Sequence, residues 1–276
     1  ISGWKNTSPT KPLNYSRSMA DYLHDLFSLR GRTALVTGGS SGIGRHMAAT
    51  LAHAGADVVV VGRRADRLQE VCASINSIDG GNAEILPADL ADREEVTRVA
   101  MASAEPFGAV DIVVNAAGIN LREAADDITW ESWDQTLNIN LSVPFFLTRA
   151  LVPGMRQKGL GNIINIASLQ SYRAFANGIA YGASKGGIAQ LTRAMAEAWS
   201  KDAISVNAIL PGFFPTELTQ PVYDNPRALD HNAAMTAIGR NGEMQDLEGA
   251  TVFLASKASA YVTGQIIAVD GGYTAK

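Results

Sequence analysis

The sequence predicts one α/β domain, doubly wound, with a parallel sheet of about seven strands flanked by helices. Three observations carry this prediction. Short, nearly continuous apolar runs such as TALVT and DVVVVG recur along the chain and read as strands buried on both faces. Longer stretches with helical spacing separate them. The first strand enters a glycine-rich turn, TGGSSGIG, directly before a helix, which is the opening of a βαβ unit. A chain of 276 residues suits one large domain.

The elements follow in order. TALVT begins at Thr33, RHMAATLAHAG forms the first helix of the unit, and DVVVVG returns as the second strand. AEILPA, the helix REEVTRVAMASA and the strand DIVVNAAG repeat the alternation. WESWDQTLNINLSVPFFLTRALVPGM then reads as one long helix. Pro144 within it would cost about 3 kcal/mol at an ordinary interior position, so a bend or irregular turn is expected there. The strand NIINIAS precedes a helix from near Ala180 to Trp199, and SVNAIL ends at Pro211-Gly212. DLEGATVFLAS and GQIIAVDGG supply a last helix and strand. Residues 213–236, rich in proline and short apolar groups, read as a lid over a pocket or as an irregular surface insertion.

Residues 1–28 stand apart from the catalytic domain expected over 29–276. Up to Met19 they hold Lys5, Lys11 and Arg17 but no acid. This extension reads as a flexible or dispensable leader ahead of a native start at Met19, a targeting remnant, or an arm packed on a partner subunit. A cytoplasmic location is expected, with an organellar one left open by the extension.

Composition removes several function classes. Hydrophobic residues make up 46% and charged residues 18%, a globular balance. The formal charge of -4, without a basic stripe, argues against nucleic-acid binding. No apolar run approaches the roughly 20 residues of a membrane span, so no membrane partner is expected. Cys72 is the only cysteine, which excludes an internal disulfide and a thiolate zinc cluster. His24, His46, His53 and His231 do not form HExxH, and no metal is expected.

Gly38, Gly42 and Gly44 lie in the turn after the first strand. Without side chains there, backbone N–H groups and the following helix N-terminus can approach a pyrophosphate. The turn lacks the lysine of GxxxxGK[ST], against a nucleoside-triphosphate hydrolase. At the end of the second strand, an acid would bind ribose hydroxyls, whereas an arginine favours a 2'-phosphate. The chain has Arg63 and Arg64 after Gly62. NADP(H) is therefore the expected cofactor, with NAD(H) the alternative. Arg63 is the expected phosphate ligand, Ser40 and Ser41 add neutral donors, and Arg64 is ordinary charge at a helix start. Asp89, in PADL, either engages adenine or caps the next helix.

Taken together, TGGSSGIG at 37–44, NAAG at 115–118, NIN at 138–140, Ser168, YGASK at 181–185 and PG at 211–212 resemble the short-chain dehydrogenase/reductase family over roughly residues 29–272. FSLRGRTALVTGG and PGFFPTE look especially like its gluconate 5-dehydrogenase and keto-sugar reductase branch. The resemblance implies a Rossmann-type domain and an oxidoreductase that interconverts a carbonyl and a secondary alcohol. It implies a catalytic set of Asn140, Ser168, Tyr181 and Lys185. Tyr181 would act as acid/base, its phenol lowered by Lys185 and by the positive ring of the oxidised cofactor. Ser168 would hold the substrate oxygen, and Asn140 would brace the main chain and a water joined to Lys185. The implied cofactor contacts are Gly38, Ser40, Ser41, Ile43, Gly44, Arg63, Asp89, Leu90, Asn115, Gly118, Tyr181, Lys185, Pro211, Gly212, Phe214 and Thr216. Where the family commonly has NNAG this chain has Ala116, which removes a side-chain hydrogen bond and leaves the reaction unchanged.

Asn120, Arg122, Gln170, Tyr172, Phe175, Tyr223 and Met235 are candidates for the substrate mouth, with Arg122 placed to pair with a carboxylate. The family also implies a homotetramer, through the helices around Asn140 and Tyr181 and the C-terminal segment. Three other functions stay open: reduction of a 3-oxoacyl group on a carrier protein, reduction of small cyclic ketones, and a noncatalytic nucleotide-responsive role. The last would not require an intact tetrad.

Overall fold

A computed structural model describes residues 18–276. Helix α1 (Met19–Phe27) is capped by Ser18, whose hydroxyl accepts from the Asp21 N–H, and packs near Lys257–Ser259. That part of the N-terminal extension is helical; residues 1–17 lie outside the described residues. Strand β1 (Thr33–Thr37) is followed by α2 (Gly42–His53), β2 (Asp57–Gly62), α3 (Ala65–Asn76), β3 (Ala83–Pro87), α4 (Arg93–Ala102) and β4 (Ile112–Asn115). Then come α5 (Trp130–Leu137), α6 (Val143–Lys158), β5 (Gly161–Ile166), α7 (Ile179–Trp199) and β6 (Ile204–Pro211). Short helices α8 (Gln220–Tyr223) and α9 (Pro226–Met235) precede α10 (Glu248–Ala255) and β7 (Ile266–Val269).

The strands form one seven-stranded sheet in the order β3-β2-β1-β4-β5-β6-β7, with every pairing parallel. Parallel strands need crossovers, and these place helices on both faces. The strand side chains divide accordingly. Ala34, Val36, Val58, Val60 and Ile112 pack toward α2, α3 and α10, while Leu35, Val59, Val61 and Val113 pack toward α4, α6 and α7. Alternation along each strand thus feeds two cores, which is why these strands read as unbroken apolar runs. The winding reverses between β1 and β4, and such a switch opens a crevice beyond the carboxyl ends of the strands.

The long helix expected around Pro144 is interrupted, one turn before the proline. Residues Asn138–Ser142 form a π-helical turn in which the Val143 N–H donates to the Asn138 carbonyl. Pro144 then falls in the first turn of α6, where its missing N–H is harmless. Pro153 lies inside α6.

At the amino ends of the strands Asp111, 1% exposed, collects positive groups. Its carboxylate accepts from Arg32 Nε at 2.5 Å and from Lys158 Nζ at 2.9 Å. Arg32 also donates to Asn162 Oδ1 at 2.8 Å, joining the entrances of β1, β4 and β5. Among the described residues no helix is long and apolar enough to cross a membrane.

Candidate active site

The turn between β1 and α2 is shaped by what its glycines omit. Gly38 has φ +66°, and a Cβ there would come within 2.8 Å of the Ala117 backbone. A Cβ on Gly44 would meet the Gly38 carbonyl oxygen at 2.4 Å. Only glycine lets this turn close against both α2 and the segment after β4. Thr37 fastens that segment, since its hydroxyl accepts from the backbone N–H groups of Ala116 and Ala117, each at 3.1 Å. Sequence reasoning passed over Thr37 because a threonine in a buried strand carries no signal of its own.

Beyond the strand ends lies a cavity of about 730 Å³. Gly38, Ser40, Ser41, Ile43, Gly44, Arg63, Asp89, Leu90 and Gly118 line it. Ser168, Tyr181, Lys185, Pro211, Gly212, Phe214 and Thr216 line it as well. Asp89 also accepts from the Ala91 N–H at 3.0 Å, so it caps the turn before α4. Asn115 does not reach this space. It is 4% exposed, and its amide donates to Thr148 Oγ1 and Asn165 Oδ1, tying β4 to α6 and β5.

At the β2 end the two arginines differ. Arg63 is exposed on the rim. Arg64, read from the sequence as ordinary charge, turns its guanidinium to Ser41 Oγ at 3.1 Å and Ser40 Oγ at 3.3 Å. The same guanidinium grips the Glu217 carboxylate at 2.9 and 3.0 Å.

The π-helical turn places Asn140 behind Gly118, where a Cβ would meet the Asn140 Oδ1 at 3.3 Å. Its Oδ1 accepts from the Ile119 N–H at 2.8 Å, and its Nδ2 donates to the Ile119 carbonyl at 2.9 Å and to Ser184 Oγ at 3.0 Å. Asn140 therefore fixes the backbone at residue 119 and the start of α7 without lining the cavity. Tyr181 and Lys185 stand one turn apart on α7, with Lys185 Nζ 5.6 Å from the phenol ring centre. Lys185 Nζ donates to the Ile166 carbonyl at 2.7 Å. Ser168 begins a short turn after β5, and Ser171 Oγ within it donates to the Lys185 carbonyl at 2.7 Å, clamping that turn to α7.

The electrostatics depart from the expectation that Lys185 lowers the Tyr181 phenol. In the protein alone, burial pushes the phenol above its ordinary value, opposed by a hydrogen bond with Ser168 and by the positive charge of Arg122. Burial brings the Lys185 ammonium down to about 8. Desolvation penalises both charged forms, and the Lys185 ammonium spends its hydrogen bond on a backbone carbonyl. The lysine has a stability consequence. Between about pH 8 and its unfolded value the unfolded chain holds more protons at this position, so stability rises with pH through that window. Relative to Lys185→Met, the wild-type unfolding free energy should rise by up to about 1.4 kcal/mol per pH unit above pH 8. Urea unfolding of both proteins at pH 7.5 to 9.5 measures this, and parallel profiles would exclude a depressed lysine.

At the substrate end Asn120, Arg122, Gln170 and Phe175 line the cavity, whereas Tyr172, Tyr223 and Met235 do not. Tyr172 is 55% exposed. The Tyr223 hydroxyl donates to the Phe213 carbonyl, and Met235 packs against the core beside β6. Residues 213–236 carry α8 and α9, each with a proline in its first turn. From this segment Glu217, Leu218, Val222, His231 and Asn232 also face the cavity. No periodicity in so short a stretch announced them.

A family model described as enoyl-(acyl carrier protein) reductase matches residues 38–274. Gluconate 5-dehydrogenase of Gluconobacter oxydans is 38% identical over 250 residues, covering 91% of this chain and 97% of that protein. A 2-dehydro-3-deoxy-D-gluconate 5-dehydrogenase of Bacillus subtilis is 40% identical over 257 residues, covering 92% and 99%. Among solved structures, a gluconate 5-dehydrogenase of Burkholderia cenocepacia in complex with NADP and tartrate superposes with a TM-score of 0.86 at 35% identity, covering 92% and 99%.

Proposed function

Because this chain belongs to the short-chain dehydrogenase/reductase family and is an enzyme that interconverts carbonyl and alcohol groups with NADP(H), we propose that its substrate is a keto-sugar or sugar acid bearing a carboxylate. The observation that carries the substrate reading is Arg122. Its guanidinium lies on the cavity wall, donates to the Leu218 carbonyl at 2.8 Å, and acts electrostatically on Tyr181. A cation so placed suits a substrate with an anionic group beyond the reacting carbon.

The cavity fits the cofactor. The glycine turn leaves the α2 N-terminus open to a pyrophosphate, and Ser40, Ser41, Arg63 and Arg64 supply donors for a 2'-phosphate. Asp89, Leu90 and Gly118 would flank the adenosine side, Tyr181 and Lys185 the second ribose, and Pro211, Gly212, Phe214 and Thr216 the nicotinamide. When bound, NADP(H) supplies or accepts the hydride.

The protein's own residues manage the proton. Ser168 holds the substrate oxygen beside Tyr181, and the phenol donates to that oxygen in reduction. In oxidation the phenolate removes the alcohol proton. A raised phenol suits the donor role, and the Ser168 hydrogen bond and the positive charge of Arg122 favour phenolate. Asn140 positions the backbone around Lys185, residues 213–236 act as the lid, and the molecule works as a homotetramer.

NADPH oxidation over a panel of 5-keto-gluconate, neutral keto-sugars, cyclic ketones and a β-ketoacyl thioester tests this function, with NADH in parallel. Selective turnover of carboxylated keto-sugars is expected. Preference for the thioester or a cyclic ketone would retain the proton chemistry and overturn the substrate. Arg122→Met should raise KM for the carboxylated substrate about 10- to 100-fold, as loss of a charged hydrogen bond would, and leave neutral keto-sugars nearly unaffected.

A further inference from the structure

The Arg64–Glu217 pair lies where the 2'-phosphate donors converge. Ser41 is the residue before α2, yet its hydroxyl makes no capping bond to that helix. It meets Arg64 instead, at 3.1 Å, with Ser40 at 3.3 Å. A Cβ on Gly62 would come within 3.3 Å of Ser40 Oγ, so the strand end leaves that hydroxyl uncovered. One planar guanidinium thus joins two hydroxyls to a carboxylate, that of Glu217.

Glu217 belongs to the lid segment. Both its oxygens engage the two terminal nitrogens of Arg64, the bidentate geometry that a phosphate also adopts. Arg64 and Ser41 both hold the Glu217 carboxyl below its ordinary range. Its neighbour Thr216 lies against the glycine turn, since a Cβ on Gly42 would meet Thr216 Cγ2 at 3.2 Å. The backbone before Glu217 is therefore already seated at the phosphate-binding turn.

We propose that Glu217 is an internal competitor for the adenosine 2'-phosphate, occupying the donors of Arg64 and Ser41 so that NADP(H) must displace it whereas NAD(H) need not. The proposal rests on the NADP(H) reading above. A phosphate dianion brings more charge and more acceptor oxygens than one carboxylate, and the exposed ion pair is weak, so the phosphate wins. The discrimination between the two cofactors is nevertheless smaller than the arginine alone would produce. Glu217 therefore sets cofactor selectivity from the lid, far along the chain from the strand that carries Arg64.

Calorimetric titration with NADP+ and NAD+, which requires no turnover, tests this on wild type, Glu217→Gln, Arg64→Gln and the double variant. Glu217→Gln should tighten NADP+ about 3- to 10-fold with NAD+ changed less than 2-fold, and Arg64→Gln should weaken NADP+ by more than 10-fold. In the Arg64→Gln background the second change should give less than 2-fold further effect. Equal tightening in both backgrounds would mean general charge repulsion and overturn the competition. Weaker NADP+ binding by Glu217→Gln would mean that the carboxylate orients Arg64, which also overturns it. If wild type holds NAD+ as tightly as NADP+ and Arg64→Gln changes neither, the NADP(H) reading itself fails and the proposal with it.

Discussion

Phenylalanine in place of Tyr181 is expected to lower turnover by about 10²- to 10⁴-fold, the range of a positioned acid/base, while NADP+ binding stays within about twofold. The two halves of the result have separate causes. The ring contributes packing on α7 beside Lys185, and phenylalanine retains it. Only the hydroxyl, hydrogen-bonded with Ser168 and facing the cavity, can exchange a proton with a substrate oxygen. Single-turnover hydride transfer, with cofactor affinity measured in parallel, separates them. Normal turnover would remove Tyr181 as the proton donor, and a parallel loss of cofactor binding would point to collapse of the site.

Asparagine at Asp111 should destabilise the fold by about 3–5 kcal/mol, because removing one partner of a buried ion pair leaves the other charge uncompensated. Arg32 is 12% exposed as a side chain and Lys158 34%, so the larger part of the loss comes from Arg32. The cluster lies at the amino ends of β1, β4 and β5, opposite the cavity, and turnover per folded molecule should not change. Urea unfolding reads the stability and active-site titration the folded fraction. A loss below about 1 kcal/mol would mean that Arg32 regains water at little structural cost.

The two experiments address opposite ends of one sheet, and those ends differed in how plainly the sequence announced them. At the carboxyl ends, glycines at 38, 42 and 44 follow a buried strand, and Tyr181 and Lys185 are spaced for one helix face. At the amino ends, Arg32, Asp111, Lys158 and Asn162 are scattered, and no local pattern marks them as partners.

The same division runs through the site itself. Arg63 and Arg64 are neighbours in one string, and the sequence favours Arg63 as the phosphate ligand and reads Arg64 as ordinary charge. What separates them is the direction of each side chain at the end of β2 and a carboxylate on a distant loop. Asn115 belongs to the NAAG stretch but points into the core, because Thr148 and Asn165 meet it there. Tyr172, Tyr223 and Met235 looked suited to a substrate mouth by residue type, yet the folding of residues 213–236 into α8 and α9 turned Tyr223 and Met235 to other partners.

The sequence by itself determined the strands and most of the helices, because apolar periodicity, glycine and proline act over a few residues of backbone. It also determined the spacing that sets Tyr181 and Lys185 on one face. Only the tertiary structure decided where the π-helical turn falls before Pro144, that Asn140 braces residue 119, and that Glu217 holds Arg64. Those outcomes depend on burial and on hydrogen bonds between residues far apart in the chain, whose partners exist only once the sheet has assembled.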